Sequence, residues 1–275
     1  MSQVFAALQR LLPHHALSRA AGHLARCEHG WVRRPFIHTF ARFYGVDMSE
    51  AERPELDDYA HFNDFFTRAL RRDVRPLDPD PRALLCPVDG TVSQAGAIRK
   101  DQLLQAKGNS YSLRSLTGHD CRELEGGTFV TIYLAPGDYH RIHLPTAGRL
   151  AATTAIPGAL FSVNARTEAA VYDLFCRNER LVCHFQTDFG PMLVVMVGAM
   201  IVASIETVWG GAPSPYRYVE HQRWNHAFER GAEIGRFLLG STVIVCCPPD
   251  AATLRPGLGH GQRVKVGERL GDLRS

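Results

Sequence analysis

Phe237-Leu238-Leu239-Gly240-Ser241-Thr242-Val243-Ile244-Val245 is an apolar, β-forming run interrupted by a Gly-Ser pair. Such a pair ordinarily marks a turn, yet β-formers lie on both sides, so Ser241 falls where strand and turn meet. Glycine has no Cβ, which opens the Gly240 carbonyl to close approach and its backbone to unusual torsions. The hydroxyl one residue later is placed to attack that carbonyl from within the chain. A bulged β-edge explains the same residues without any chemistry, so their meaning depends on the rest of the sequence.

Further β-rich stretches are Thr128–Leu134, Arg180–Gln186 and Met192–Ile205, separated by glycine and proline turns, with one helix expected around Thr167–Cys176. Residues 1–70 read instead as helices, clearest at Ser49-Glu50-Ala51-Glu52 and Asp57–Leu70. Arg75-Pro76-Leu77-Asp78-Pro79-Asp80-Pro81 then acts as a linker, because residues before proline avoid the helical region. The tail, Gly261 to Gly271, alternates strand residues around a Val266-Gly267-Glu268 turn, a cadence similar to the β-sandwich hybrids of biotinyl and lipoyl carriers. Lys265 lies inside that alternation and not at a hairpin tip, so the tail reads as scaffold. The expected fold is α+β: a helical N-terminal region over 1–74, then a β-rich domain over 75–275 with barrel-sandwich-hybrid-like character.

The chain has 275 residues, 45% hydrophobic and 21% charged, with a net charge of +3. That balance is too mild to indicate nucleic acid. Its seven cysteines are scattered, odd in number and form no C-x-x-C pair, which supports neither a zinc site nor a disulfide framework and suits a reducing cytoplasm. No secretory signal is expected, since Pro13-His14-His15 interrupts the N-terminus early. The longest apolar run, Met192–Ile205, has fourteen residues, short for a bilayer span, and reads as a buried strand pair. Between Met1 and Val46, however, six arginines and five histidines face a single acid, Glu28. Val4, Phe5, Leu8, Leu11 and Leu12 recur at helical spacing there, and Trp31, Phe36, Phe40 and Phe43 add aromatic bulk. Basic residues with an apolar stripe suit the surface of an anionic bilayer. A stripe packed on the protein's own core fits the same pattern.

Two segments give Gly240-Ser241 a context. In Cys86-Pro87-Val88-Asp89-Gly90-Thr91-Val92, Asp89 is a turn-maker or a functional carboxylate. In Tyr133-Leu134-Ala135-Pro136-Gly137-Asp138-Tyr139-His140-Arg141-Ile142-His143-Leu144-Pro145, two histidines follow an apolar strand. If the segment is extended, His140 and His143 face opposite sides and serve different partners; if it is a helical turn, they share a face. A metal site would need a third ligand at a sensible spacing, and none is evident, so no metal is expected. The order Asp89, His143, Ser241, without a Gly-x-Ser-x-Gly elbow, argues against an α/β-hydrolase.

Taken together, the chain resembles phosphatidylserine decarboxylases of the short bacterial type over almost its full length. The resemblance rests on Leu239-Gly240-Ser241-Thr242, Asp138-Tyr139-His140-Arg141-Ile142-His143, Phe62-Asn63-Asp64-Phe65-Phe66-Thr67-Arg68 and Pro87-Val88-Asp89-Gly90. It continues through Pro157-Gly158-Ala159-Leu160-Phe161-Ser162-Val163-Asn164, Asn178-Glu179-Arg180, Val197-Gly198-Ala199 and Ile205-Glu206-Thr207-Val208-Trp209. The occurrence of these blocks in this order is what makes the match specific.

The resemblance implies a proenzyme that cuts itself between Gly240 and Ser241 into chains 1–240 and 241–275. In that scheme Ser241 attacks the Gly240 carbonyl, His143 is the base, and Asp89 orients it. Elimination and loss of ammonia convert Ser241 to a covalent pyruvoyl group, the sole cofactor. Its ketone holds the substrate amine as a Schiff base while CO2 leaves, and His140 is the proton donor. The implied substrate is phosphatidylserine, the product phosphatidylethanolamine. The implied setting is peripheral, on the cytoplasmic side of an anionic cell membrane, with the cleaved chains assembled as a dimer of heterodimers. Rival expectations are a pyruvoyl decarboxylase of a soluble amino acid, a membrane-bound scaffold that does not process, and an Asp-His-Ser hydrolase with unmodified Ser241.

Overall fold

Strand Ser241–Cys247 runs through the middle of an antiparallel sheet of eight strands. In spatial order these are Glu220–Phe228, Gly148–Ile156, Arg180–Thr187, Gly190–Gly198, Ser241–Cys247, Thr128–Leu134, Gly90–Ala97 and Arg263–Val264. The computed structural model describes residues 21–105, 110–168, 170–199, 205–211, 215–238 and 241–274. Among them the sheet is open, its two outer strands unpaired with each other.

The central strand is apolar throughout because both of its faces are covered. Val243, Val245 and Cys247 enter one core with Val92, Val130 and Ile132, while Ile244 and Cys246 enter a second core with Phe129, Val195 and Val197. This division follows from the two-residue period of a strand, and β-branched side chains pack well on such a pleated surface. Ser241 is the strand's first residue, opposite Leu134 on one side and Gly198 on the other.

A smaller sheet brings the histidine segment to the same place. Glu233–Phe237, which leads into the central strand, pairs with Ile205–Thr207 and with Arg141–His143. The Phe237 amide donates to the His140 carbonyl at 3.0 Å. A third sheet joins Ala83–Leu85, Arg269–Leu273 and Ala252–Leu254.

The N-terminal helices form their own core. Helix Gly30–Tyr44 packs Ile37 and Ala41 against Tyr59 and against Phe62, Phe65 and Phe66 of the short helix Phe62–Phe66. Phe36 stacks on Phe62 with ring centroids 4.2 Å apart. The aromatic stripe is therefore divided: Phe36 and Phe40 turn inward, whereas Trp31 and Phe43 are 80% and 77% exposed. No helix among the described residues is long and apolar enough to cross a membrane.

The mixed, β-rich composition with helices first agrees with the sequence expectation, but several elements differ in extent. Thr128–Leu134 is a strand as expected. Met192–Ile205 contributes to two strands as expected, Gly190–Gly198 and Ile205–Thr207, whereas the Phe237–Cys247 run falls in two strands, Glu233–Phe237 and Ser241–Cys247. Thr167–Cys176 is not one helix, because Asp173 takes a left-handed conformation between single turns at Ala165–Glu168 and Leu174–Arg177. Within Asp57–Leu70 only Phe62–Phe66 is α-helical, started by the N–H of Asp64 donating to His61 Nδ1 at 3.0 Å. Ser49–Glu52 reduces to a 3-10 turn at Met48–Glu50.

The two regions touch at the loop before His140. Arg68 donates to the Gly137 carbonyl at 3.1 Å and Arg141 to the Thr67 carbonyl at 2.9 Å. Gly137 lies so near the end of the long helix that a Cβ would stand 2.8 Å from the Tyr44 carbonyl oxygen. Gly137→Ala is accordingly expected to destabilise the protein by about 1–3 kcal/mol, as overpacking against backbone does. Urea unfolding measures this, and an unchanged midpoint would show that helix end and loop are free to separate.

Candidate active site

Ser241 is fully buried, and its Oγ lies 3.5 Å from Nδ1 of His140. The imidazole is also fully buried and stacks on Phe66, with centroids 4.1 Å apart and planes 29° from parallel. Its Nε2 lies 3.0 Å from the Ala135 carbonyl, which can only accept, so Nε2 carries the proton and Nδ1 presents a lone pair toward Ser241. Burial pushes the His140 pKa down to about 3, against the opposing pull of the Ala135 carbonyl and of Asp138. A neutral imidazole therefore faces the hydroxyl, which suits proton acceptance.

The segment carrying the histidines is extended, and the two rings serve different partners. His143 Nδ1 donates to the Gly231 carbonyl at 2.8 Å, which leaves Nε2 to accept from the Tyr139 hydroxyl at 3.0 Å. Burial lowers the His143 pKa and raises that of Tyr139.

Asp89 is buried immediately before Gly90, whose missing Cβ lets the strand close on the Tyr133 carbonyl. Its carboxylate accepts from Arg75 Nε at 3.0 and 3.1 Å, from Arg75 Nη2 at 2.5 Å and from the Val266 amide at 2.9 Å. Arg75 also binds Glu50 at 2.6 and 3.0 Å, holding that carboxyl down to about 2 against the cost of its burial. No hydrogen bond joins His143 to Asp89 or to Ser241. The structure thus brings His140 to Ser241, sets His143 against Tyr139, and sets Asp89 against Arg75. Gly240 lies outside the described residues.

A polar clamp fixes the other side of Ser241. Asn178 accepts the Phe161 amide at 3.1 Å and donates to the Phe161 and Gly198 carbonyls, both at 2.8 Å. Because Gly198 pairs with Ser241, the clamp ties the start of Phe161-Ser162-Val163-Asn164 to the strand end at the serine. A groove of about 410 Å³ lies elsewhere, between Ile205–Thr207, Gly210, Glu233 and Arg236, and none of Asp89, His140, His143 or Ser241 lines it.

Reasoning from the sequence did not single out Phe66, Arg75, Tyr139 or Asn178. Phe66, Tyr139 and Asn178 stand inside the blocks that carried the resemblance, whereas Arg75 read as linker.

A model of the family described as phosphatidylserine decarboxylase matches residues 62–272, and a second, described as PSD, matches residues 4–45. A phosphatidylserine decarboxylase proenzyme of Azotobacter vinelandii is 50% identical over 273 residues, covering 96% of each chain. Proenzymes of the same description from Pseudomonas entomophila and Methylococcus capsulatus are 51% and 49% identical, over 98% and 99% of this chain and 97% of their own. The match spans the central strand, the histidine segment and the helical region together. This chain belongs to the phosphatidylserine decarboxylase family.

Burial of neutral histidines makes stability depend on pH. His140 is held to about 3, His184 to about 4 by burial and the neighbouring His119 and His221, and His143 is lowered by burial. Unfolded, each regains a pKa near 6.5 and binds a proton the folded protein lacks. Stability is expected to be full above about pH 6.5 and to fall as the pH drops toward 4, by up to one proton per histidine. Urea titrations at several pH values measure the slope; a flat response between pH 7 and 5 would show these rings are not held neutral.

Proposed function

We propose that this chain is a self-processing proenzyme that decarboxylates phosphatidylserine to phosphatidylethanolamine through a pyruvoyl group derived from Ser241. The observation that carries the reading is the buried Ser241 hydroxyl facing a neutral imidazole at the first residue of a strand held on both edges. The residues present fit such a group, since position 241 is fixed by its neighbours and lies in a dry pocket beside a proton carrier.

In maturation, Ser241 Oγ attacks the Gly240 carbonyl, the peptide C–N bond breaks and an ester remains. A base takes the hydroxyl proton and returns it to the freed amine. Loss of the α-proton then expels the Gly240 carboxylate, and water replaces the nitrogen, which leaves as ammonia. When present, the pyruvoyl group supplies an electrophilic ketone that binds the substrate amine and draws electrons as CO2 departs. The Nδ1 lone pair of His140 takes up the proton that the substrate ammonium gives up on binding and passes it to the carbon that has lost CO2, while Phe66 and Ala135 keep the ring in place.

For the maturation base the resemblance points to His143 oriented by Asp89, which would require Nε2 to leave Tyr139 and Asp89 to loosen from Arg75. A second reading, favoured by the 3.5 Å contact, makes His140 the base as well. Intact-mass analysis under denaturing conditions tests both. Two chains split after Gly240, the smaller lighter by an ammonia than a serine-started peptide, are expected of the natural protein. One uncut chain is expected of Ser241→Ala, and a cut product from it would remove Ser241 from its role. His143→Ala and Asp89→Asn are expected to stay uncut, with His140→Ala cut and slow to release CO2; an uncut His140→Ala beside a cut His143→Ala would transfer the maturation step to His140.

The helical region, 1–74, serves as the membrane-docking part of a peripheral enzyme on the cytoplasmic face, ahead of the β-rich domain, and the cleaved chains assemble as a dimer of heterodimers. The exposed Trp31 and Phe43, with Arg34 and Arg42 also exposed on the same helix, support docking on an anionic bilayer. Trp31→Ala with Phe43→Ala is expected to weaken sedimentation with phosphatidylserine-containing vesicles on the order of tenfold while leaving cleavage intact. Equal binding by the double variant would remove these two side chains from docking, and absence of vesicle binding by the natural protein would favour the soluble-substrate rival.

A further inference from the structure

Asp138 stands two residues before His140, and a residue of the tail grips it from outside. Arg263 donates from Nη2 to Oδ1 at 2.7 Å and from Nη1 to Oδ2 at 3.1 Å. The Asp138 side chain is 10% exposed, so this fork closes over a carboxylate largely withdrawn from water. Oδ2 also accepts the Ala135 amide at 2.7 Å, and the Asp138 amide donates to the Ala135 carbonyl at 2.9 Å. Side chain and backbone together close the Ala135–Asp138 turn. That same carbonyl binds His140 Nε2, whose ring turns its other nitrogen to Ser241. Arg263 is itself anchored, since it pairs with Thr91 in the sheet, and three residues on Val266 donates to Asp89.

We propose that Arg263 is a positioning residue for His140: through Asp138 it fixes the Ala135–Asp138 turn, whose carbonyl sets the tautomer and direction of the imidazole. The inference rests on the proposed pyruvoyl-dependent decarboxylation with His140 as proton carrier. On that reading Arg263 belongs to the small chain after cleavage. The small chain then brings both the reactive group and the clamp on the large chain's histidine.

The clamp also has an electrostatic side. The charged groups bearing on His140 are Asp138 of its own loop, which raises its proton affinity, and Arg68 of the N-terminal segment, which lowers it. Phe66, Ala135, Phe237 and Ser241 are its uncharged neighbours. Arg263 offsets the Asp138 charge, and Asp138 in turn holds Arg263 more firmly protonated. Without the guanidinium, Asp138 acts uncompensated and His140 binds its proton more tightly.

The test compares natural protein, Arg263→Gln, Arg263→Lys and Asp138→Asn, all confirmed by mass as cleaved, in CO2 release from phosphatidylserine in mixed micelles between pH 5 and 9. Arg263→Gln is expected to lower kcat on the order of tenfold with KM little changed, and to move the pH profile upward. Arg263→Lys, which keeps the charge, is expected to restore the profile and part of kcat. Adding Arg263→Gln to Asp138→Asn should cost nothing further, because the two act as one unit. An unchanged kcat and profile in Arg263→Gln would overturn the proposal, as would an equal loss at every pH that lysine does not relieve. Absence of CO2 release by the natural protein would instead overturn the decarboxylase reading, whatever the variants do.

Discussion

Backbone hydrogen bonding along both edges of Ser241–Cys247 is the constraint on which the site depends. Seven residues of this strand pair with Thr128–Leu134 and six with Gly190–Gly198. Side chains on both faces are buried in separate cores. Most of the pairing that fixes position 241 lies on its C-terminal side, from Thr242 to Cys247. A break in the chain before Ser241 leaves that pairing in place. The serine can change chemically while its surroundings keep their geometry.

The histidine reaches this place through the preceding strand. Glu233–Phe237 leads into the central strand and pairs with the segment bearing His140 and His143, so one short sheet brings nucleophile and imidazole together. Within that segment the alternation of a strand separates the two rings. His140 enters a dry pocket beneath Phe66, where desolvation outweighs the attraction of Asp138 and keeps it neutral. His143 is directed to Gly231 and Tyr139 instead. The division of partners between the two histidines is a consequence of strand geometry.

The helical region is part of the site wall as well as an outer surface. Phe66 and Arg68 both lie in its short helix or just beyond it, one stacked on His140 and the other bound to the Gly137 carbonyl. The long helix closes on Gly137 from the other side. Any displacement of these helices acts on the loop that holds His140. Arg75, Glu50 and Asp89 form a second tie between the same region and the sheet, and Val266 and Lys265 of the tail complete it.

Local chemistry was legible in the sequence because strand and turn signals are local. The β-branched run after Ser241 and the α+β order of elements follow from side-chain shape and period, whereas the segment of His140 and His143 fitted an extended chain and a helical turn equally. Family membership was legible too, since its blocks are contiguous. Legibility ended wherever an outcome depends on residues far apart in sequence. Aromatic residues 31 to 43 carry one composition, yet Phe36 and Phe40 pack inside while Trp31 and Phe43 face outward. The resemblance pairs Asp89 with His143, while the contacts its carboxylate makes here, with Arg75 and the Val266 amide, come from residues that spacing along the chain does not point to. The sequence by itself determined which side chains can do chemistry and which backbone can form strands. Only the tertiary structure decided which imidazole meets Ser241, because burial and long-range pairing, not spacing along the chain, set its position and its charge.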